Sequence, residues 1–393
     1  MVDFDASLRE ELASIASANR YRRRRVVESL NFASPMSIRV DGRECINFCS
    51  NDYLGLATHA EVRHAMSVAA QRYGVGSGAA HLVTGHSIEH HALEEELAEF
   101  IGRERALLFS TGYMANLGVA SALLTRSDAV FEDRLNHASL LDAGLASGAH
   151  FTRYAHGNAY ELQQKLIDAT ARRKLVMSDA VFSMDGDLAP LNMLARICHE
   201  QQAILMIDDA HGLGVLGEQG QGSVCAAGLS ATDVPIYMAT LGKAVGVSGA
   251  FVAGSSTLIE TLIQKARTYI YTTATPPAVA AATRAALRLV NKESDRRERL
   301  FGLIKRFRRG AEQLGLPLMQ SSTAIQPLLL GTESAALAAS EALLNAGMVV
   351  SAIRPPTVPA GTSRLRITLS AAHTDTHVDR LLNALETLPQ VAA

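Results

Sequence analysis

From about residue 105 onward, short apolar runs alternate with longer amphipathic segments, and this alternation restricts the fold more than any other feature of the sequence. The runs RALLFS, DAVFED, KLVMSD, AILMID and IYMAT are each followed by a turn, and most of them lead into a segment with helical spacing. Short apolar runs closed by glycine or polar residues are typical of strands buried on both faces. The alternation therefore predicts an α/β fold with a mostly parallel, doubly wound sheet.

The size and composition of the chain are those of an ordinary enzyme. Its 393 residues exceed one typical domain and favour a large core with one smaller domain. Hydrophobic residues make up 48% and charged residues 19%, and the formal net charge of −2 gives no general attraction for nucleic acid. The acidic, amphipathic N-terminus and the lack of a membrane-length apolar run predict no signal peptide and no membrane association.

The cysteines favour a reducing compartment. Cys45, Cys49, Cys198 and Cys225 form no pair of CxxC motifs of the kind that holds a structural metal. Small buried residues are the simpler interpretation, and we expect a cytoplasmic protein.

Two of the apolar runs end in groups that carry chemistry. LMIDDAHG ends in Asp208 and His211, and IYMATLGK ends in Thr240 and Lys243. Active groups of open α/β sheets gather beyond the carboxyl ends of the strands, so these side chains are expected in one crevice. A lysine amine with a nearby carboxylate suits pyridoxal phosphate (PLP). The lysine forms a Schiff base with this cofactor, and the carboxylate pairs with the pyridinium nitrogen.

Lys243 is the best candidate for that amine. It alone among the lysines lies between glycines and small apolar residues, where loss of hydration would lower its pKa and make it nucleophilic. The other lysines lie in charged, helix-like segments or at a strand edge: Lys165, Lys174, Lys265, Lys292 and Lys305.

Further candidates lie at the other junctions between strands and helices. The helix after RALLFS begins near Thr111, Gly112 and Tyr113, where backbone N–H groups could hold the cofactor phosphate. His137 begins the next helix and could stack on a planar ring, although a histidine at a helix start is more often structural. Ser183 follows KLVMSDAVF.

The N-terminal segment from residue 5 to 30 is predicted to be a helix that ends in the arginines Arg22 to Arg25. A solvated basic helix end is one interpretation, because cations are favourable there. A clamp for a substrate carboxylate or phosphate is the other, because arginine binds such groups in a bidentate manner.

The stretch from Tyr73 to His86 is rich in glycine, but it lacks the GK[ST] ending of a P-loop. We interpret it as a wall where the backbone approaches a ligand closely. His81, His86, His90 and His91 cluster beside it. Because no HExxH pattern is present and the helix continues in a plain amphipathic way, we predict no metal site here.

Composition predicts three parts of the chain. Residues 1–50 form an N-terminal helix and hairpin, 51–288 a large cofactor-binding domain and 289–393 a small C-terminal α/β domain. The charged run NKESDRRERL lies near the second boundary. Within the last part, RPPTVPAGTSR is a stiff loop that suits a substrate lid.

The chain resembles the α-oxoamine synthases across nearly its whole length. The resemblance rests on the motifs NDYLGL, STGYMAN, DRLNHASLLDA, FSMDGD, DDAHGLGVLGEQGQGS, TLGKAVGVSGA and RPPTVPAGTSRLRITLSAAH, which occur in the family's order. It implies the fold type I architecture of PLP-dependent transferases, with a seven-stranded sheet and helices on both faces, and a homodimer. It also implies condensation of an amino acid with an acyl thioester, and IRPPTVPAGTSRLR favours L-alanine and a pimeloyl thioester carried by CoA or acyl carrier protein.

The resemblance implies roles for matching residues. Lys243 would hold PLP covalently, Asp208 would pair with the ring nitrogen, and His211 would contact the phenolic oxygen. His137 would stack on the ring and touch the substrate. Ser183 would contact the ring, and Gly112, Tyr113 and Thr240 would bind the phosphate; Thr357 and Arg22 would contact the substrate.

Several questions stay open at the level of sequence. Arg23 to Arg25 could replace Arg22, and Ala80 stands where the family often has a serine. Sister enzymes that use glycine or serine share the core motifs. A PLP aminotransferase, with Arg364 or Arg366 holding a substrate carboxylate, is a more distant alternative.

Overall fold

A seven-stranded sheet forms the centre of this protein's larger part. The computed structural model describes residues 3–31 and 33–388. The strands are β1 (Val27–Asn31), β2 (Ser34–Val40), β3 (Arg43–Asn47), β4 (Arg105–Phe109), β5 (Ala129–Asp133), β6 (His150–Tyr154), β7 (Lys174–Asp179), β8 (Ile204–Asp208), β9 (Ile236–Thr240), β10 (Ala250–Gly254), β11 (Ile325–Gly331), β12 (Met348–Val349), β13 (Ser351–Ile353) and β14 (Ser363–Thr368). The helices are α1 (Phe4–Ser17), α2 (Ala60–Tyr73), α3 (Ile88–Phe100), α4 (Gly112–Leu123), α5 (Ala138–Ala146), α6 (Ala159–Asp168), α7 (Leu191–Glu200), α8 (Ser223–Ala226), α9 (Ser256–Lys265), α10 (Arg267–Ile270), α11 (Pro277–Lys292), α12 (Ser294–Gln313), α13 (Glu333–Asn345) and α14 (Asp375–Glu386).

The described chain divides into two compact units. The larger unit consists of Asn51–Ser183 and Asp187–Glu298, and the smaller unit of Met1–Ser50, Met184–Gly186 and Arg299–Ala393. The N-terminal part groups with the C-terminal part because β12 pairs in parallel with β3. The three-part domain division drawn from the sequence remains a prediction. None of the described helices combines the length and apolar character needed to cross a membrane.

The sheet of the larger unit has the order β4-β10-β9-β8-β7-β5-β6. β10 runs antiparallel to both of its neighbours, and the remaining pairs are parallel. The mostly parallel sheet predicted from the sequence is therefore confirmed. Its inner strands are apolar along their length because both faces are covered. Val130, Met177, Met206 and Met238 are each at most 1% exposed in this core.

The smaller unit contains two sheets, β1-β2-β3-β12 and β11-β14-β13. The hairpin predicted within residues 1–50 is present: β2 and β3 pair antiparallel up to Val40 and Arg43, and its turn is Asp41–Gly42. Both turn residues have positive φ, 48° at Asp41 and 76° at Gly42. Two-residue hairpin turns of this type require that backbone conformation, which asparagine, aspartate and glycine tolerate best.

The prediction of one helix from residue 5 to 30 is wrong. α1 ends at Ser17, the segment from 20 to 26 has no regular structure, and β1 begins at Val27. Asn19 adopts φ of 55°, a left-handed conformation that cannot continue a right-handed helix. The arginines therefore lie in an irregular segment and not at a helix end, so the helix dipole does not explain them.

The turn after β8 is held by a buried carboxylate. Asp209 is 0% exposed and accepts hydrogen bonds from the backbone N–H of Ser223 (2.6 Å), from the Ser223 hydroxyl and from the Tyr237 hydroxyl (3.0 Å). Gly222 lies directly against this carboxylate with φ of 101°, and a Cβ there would be 2.1 Å from Asp209 Oδ2. The network thus fixes the backbone that follows Asp208.

We predict that Asp209→Ala lowers the free energy of unfolding by about 3 kcal/mol, because it leaves the buried backbone N–H and hydroxyl of Ser223 without their acceptor and the Tyr237 hydroxyl with only a 3.4 Å contact to the Gln221 carbonyl. Denaturant unfolding of the full chain measures this change. Asp168→Ala, at an exposed position at the end of α6, is the matched control and should change stability by less than about 0.5 kcal/mol. Equal stability of the two variants would contradict the role of the network.

Candidate active site

The segment after β9 brings Lys243 to His211. The Nζ atom of Lys243 lies 2.8 Å from Nε2 of His211, and the other ring nitrogen, Nδ1, lies 2.7 Å from the hydroxyl of Tyr53. That hydroxyl donates to Oδ1 of Asn51 at 3.2 Å. With its proton used in this way, the Tyr53 hydroxyl is placed to accept from Nδ1 of His211, while Nε2 of His211 faces Lys243.

Asp208 ends β8 as a buried carboxylate. It is 4% exposed, and its Oδ2 accepts a hydrogen bond from Nδ2 of Asn116 at 2.8 Å. Its Oδ1 accepts from the backbone N–H of Ala210 at 3.0 Å. Both partners are neutral donors, so a cationic group on a ligand would compensate the buried charge far better.

Hydrogen bonds hold His137 at the same edge of the sheet. Its Nδ1 lies 2.7 Å from the hydroxyl of Ser139, which accepts from Asn116 Nδ2 at 2.9 Å. Its backbone N–H donates to Oδ2 of Asp179 at 2.6 Å. Burial lowers the pKa of His137 and favours the neutral imidazole, a planar group suited to stacking.

The predicted phosphate site is a regular helix start. Thr111 is the N-cap of α4 and accepts from the backbone N–H of Met114 at 3.2 Å, and Gly112 and Tyr113 form the first turn. The Tyr113 hydroxyl bonds to Asp142, which raises the pKa of the phenol. At the end of β9, the Thr240 hydroxyl donates to the Gly249 carbonyl at 2.9 Å and accepts from Gly242 N–H at 3.3 Å.

Ser183 lies in a turn that is held in place by contacts with His156. His156 bridges Asp133 at 3.0 Å and Asp187 at 2.8 Å, and it packs edge-on against Phe182 with ring centroids 4.4 Å apart. These two carboxylates raise the pKa of His156 to about 10. The doubly paired imidazolium fixes both sides of the turn that carries Ser183.

In the smaller unit, the structure joins two predicted substrate residues. The Arg22 guanidinium donates to the Thr357 hydroxyl at 3.3 Å. Arg23, Arg24 and Arg25 line a different groove of about 1180 Å³. The contact with Thr357 favours Arg22 over its three neighbours.

Sequence reasoning missed the residues that connect the candidates. These residues are Tyr53, Asn116 and His156. Each of them bridges positions that are far apart in the chain, and no local pattern marks it as a partner. The first two occur inside the quoted motifs NDYLGL and STGYMAN, so the motifs contained a signal that spacing alone could not assign to a contact.

The arrangement fits PLP. It offers a lysine amine, a buried carboxylate for the ring nitrogen, a neutral histidine and a helix start for the phosphate. Asn116 Oδ1 is in addition buried without a hydrogen-bond partner among the described residues, next to Asp208. A polar atom in that position indicates that a polar ligand completes the site.

Comparison with known proteins agrees with this geometry. Residues 43–385 match the model of the aminotransferase class I and II family. The 8-amino-7-oxononanoate synthase of Thioalkalivibrio sulfidiphilus is 62% identical over 96% of this chain and 96% of its own. The solved serine palmitoyltransferase of Sphingomonas wittichii is 32% identical with a TM-score of 0.92, covering 98% of this chain and 97% of its own. The solved 8-amino-7-oxononanoate synthase of Francisella tularensis is 33% identical with a TM-score of 0.76, covering 87% and 96%.

PLP is accordingly the cofactor, and the architecture is that of fold type I PLP-dependent transferases, as the sequence predicted. The identity to curated relatives extends over nearly the whole chain, so it includes both units and every strand end described above. The chain belongs to the aminotransferase class I and II family and, within it, to the PLP-dependent 8-amino-7-oxononanoate synthases.

Proposed function

We propose that this protein condenses L-alanine with a pimeloyl thioester and releases CO2 and a free thiol to give 8-amino-7-oxononanoate, a step of biotin biosynthesis. The name and high identity of the curated relatives support this assignment. The observation that carries it on the structural side is the contact between Lys243 and His211 in a site that also offers the buried carboxylate of Asp208.

Bound PLP supplies an electron sink that makes a negative charge on the α-carbon of an amino acid accessible. Asp208 would hold the ring nitrogen, His211 the phenolic oxygen, and His137 one face of the ring. Ser183 would contact the ring. The phosphate would be bound at the start of α4 and at Thr240; the binding residues would be Gly112, Tyr113 and Thr240.

Lys243 would also act as the general base. Its amine would take the proton from the α-carbon of alanine and return a proton after CO2 has left. A hydrogen bond to Nε2 of His211 at 2.8 Å orients the amine for both roles. His137 would touch the substrate on the ring face and restrict the position of the acyl group.

Arg22 and Thr357 would select the acyl chain. Pimelate differs from a simple fatty acyl group in its distal carboxylate, and a guanidinium binds that group with charge-assisted hydrogen bonds. The contact with the Thr357 hydroxyl at 3.3 Å would hold Arg22 in place. We further propose a homodimer in the cytoplasm, on the family resemblance and the cysteine content; CoA and acyl carrier protein are both candidate carriers.

A sister activity is the main alternative, because the fold closely matches a serine palmitoyltransferase. Steady-state rates of thiol release from pimeloyl-CoA with L-alanine, glycine and L-serine distinguish these enzymes. We expect kcat/KM for L-alanine to exceed the value for glycine, which lacks one methyl group, by at least about tenfold, and the value for L-serine, which adds a hydroxyl, by at least about tenfold as well. A preference for serine or glycine would transfer the assignment to a sister enzyme, and a keto-acid-dependent half-reaction would favour an aminotransferase.

We predict that Lys243→Ala lowers kcat by at least about 10³-fold, since it removes the proposed covalent anchor and the proposed base together. Product formation by mass spectrometry and the visible absorption of the bound cofactor provide two readouts. Lys292→Ala, at an exposed lysine near the end of α11, is the matched control and should keep full activity. Substantial turnover by the Lys243 variant would overturn its assignment.

We predict that Arg22→Ala raises KM for pimeloyl-CoA about 10- to 100-fold, because a charge-assisted hydrogen bond is worth about 1.5–3 kcal/mol. Heptanoyl-CoA lacks the distal carboxylate, so the variant and the native protein should handle it equally. Arg9→Ala, at an exposed arginine of α1, is the control. If Arg23→Ala raises KM and Arg22→Ala does not, the clamp lies one residue further along the chain.

A further inference from the structure

Four histidines lie together at the start of α3 in the larger unit, outside the residues proposed for catalysis. The ring of His81 is 5.3 Å from that of His86 and 5.1 Å from that of His90, measured between centroids. The rings of His86 and His91 are 5.8 Å apart. Neither the cofactor nor the substrates proposed above require this arrangement.

A single π-helical turn, His81–Gly85, brings the histidines of the cluster together. The backbone N–H of Gly85 donates to the carbonyl of Ala80 at 3.0 Å, five residues earlier. Glycine is needed at that point, because a Cβ at Gly85 would be 2.1 Å from the carbonyl oxygen of Ala79. Isolated π turns of this kind occur frequently at functional sites.

The turn places the side chains before and after it in contact. Nδ1 of His81 and Nδ1 of His86 are 3.0 Å apart, so one ring donates to the other. This contact uses Nδ1 of His86 and directs its Nε2 towards Glu94, whose Oε2 is 4.0 Å away. His91 supplies a third donor atom, and one donor atom of each of His86, His91 and Glu94 lies within 4.8 Å of the other two.

We propose that His86, His91 and Glu94 form a binding site for a divalent transition-metal ion, with Zn²⁺ as the best match. Two imidazoles and one carboxylate are an established zinc ligand set, which leaves a fourth position for water. Zinc binds nitrogen at about 2.0–2.1 Å in tetrahedral geometry, so the donor atoms must approach each other by about 1 Å. Mg²⁺ and Ca²⁺ prefer oxygen ligands and do not suit two imidazoles.

The surroundings already orient the ligands, as metal sites require. The backbone N–H of Leu108 donates to Oε1 of Glu94 at 2.9 Å and leaves Oε2 for the ion. His81 anchors His86 and stacks on Tyr269 with ring centroids 5.1 Å apart. These contacts hold the His86 ring and the Glu94 carboxylate in place before any ion arrives.

Burial favours the ion as well. The side chain of Glu94 is 14% exposed and that of His86 is 27% exposed, so an ion held between them would be partly shielded from solvent. The exposed side chain of His91 gives the ion a route from solvent.

The sequence-based expectation of no metal site rested on the absence of HExxH and on the amphipathic pattern of the helix. α3 begins at Ile88, and His86 precedes its N-cap, Ser87, so the proposed ligands span the helix start. A motif search for HExxH does not find the set His86, His91 and Glu94.

The test uses the untagged, full-length holoenzyme after treatment with a chelator. Isothermal titration with Zn²⁺ should show one site per chain, and Mg²⁺ should show none. His91→Ala and Glu94→Gln should each weaken Zn²⁺ binding at least about tenfold. His64→Ala removes an exposed helical histidine of α2 and should bind Zn²⁺ as the native protein does.

Thermal unfolding gives a second readout that does not depend on activity. Saturating Zn²⁺ should raise Tm of the native protein and of His64→Ala, because an ion that binds only the folded state stabilises it. The same Zn²⁺ should leave Tm of His91→Ala unchanged. Absence of Zn²⁺ binding to the native protein, or equal binding by His91→Ala and Glu94→Gln, would overturn the site.

Discussion

The burial of two carboxylates side by side is the constraint on which the candidate site depends. The parallel register of β7 and β8 places Asp179 directly beside Asp208 at the carboxyl edge of the sheet. Burial, and after it the charge of Asp208, raise the pKa of Asp179 well above its ordinary value. The raised pKa shifts Asp179 towards its neutral form, which reduces the repulsion between the two groups and suits the site to a pyridinium nitrogen beside Asp208.

The second constraint is the hydrogen-bond chain from Asn51 through Tyr53 and His211 to Lys243. The amide oxygen of Asn51 accepts the phenol proton of Tyr53, the phenol oxygen faces Nδ1 of the imidazole, and Nε2 faces the Lys243 amine at 2.8 Å. The chain therefore fixes the position of the ring and of the amine, which the roles proposed for Lys243 at the cofactor carbonyl and at a substrate proton both require.

The sequence predicted the residues that end strands, and the reason is geometric. Asp208 and Thr240 lie at the carboxyl ends of neighbouring parallel strands, and the short turns beyond them carry His211 and Lys243, so strand order alone brings these groups together. Contacts such as Asn116 with Asp208 join helix and strand positions that are 92 residues apart, and no local periodicity encodes them. The prediction of a helix up to residue 30 was wrong because one left-handed residue, Asn19, outweighed the helix propensity of a long polar segment.

The residues that determine which substrate is accepted must lie outside the core that related enzymes share. A serine palmitoyltransferase matches this chain with a TM-score of 0.92 at 32% identity, whereas the synthase of Thioalkalivibrio sulfidiphilus is 62% identical. A common fold therefore does not determine which acyl group is accepted. The roles proposed for Lys243, Asp208 and His211 are ones that every member of such a family needs, so these residues cannot distinguish a fatty acyl chain from pimelate. A distal carboxylate is the group that pimelate adds, and a cation placed for it would convert that difference into affinity. Arg22, which contacts the Thr357 hydroxyl in the smaller unit, is the cation proposed for that role, so the irregular arginine segment is the part of the chain where specificity is to be sought.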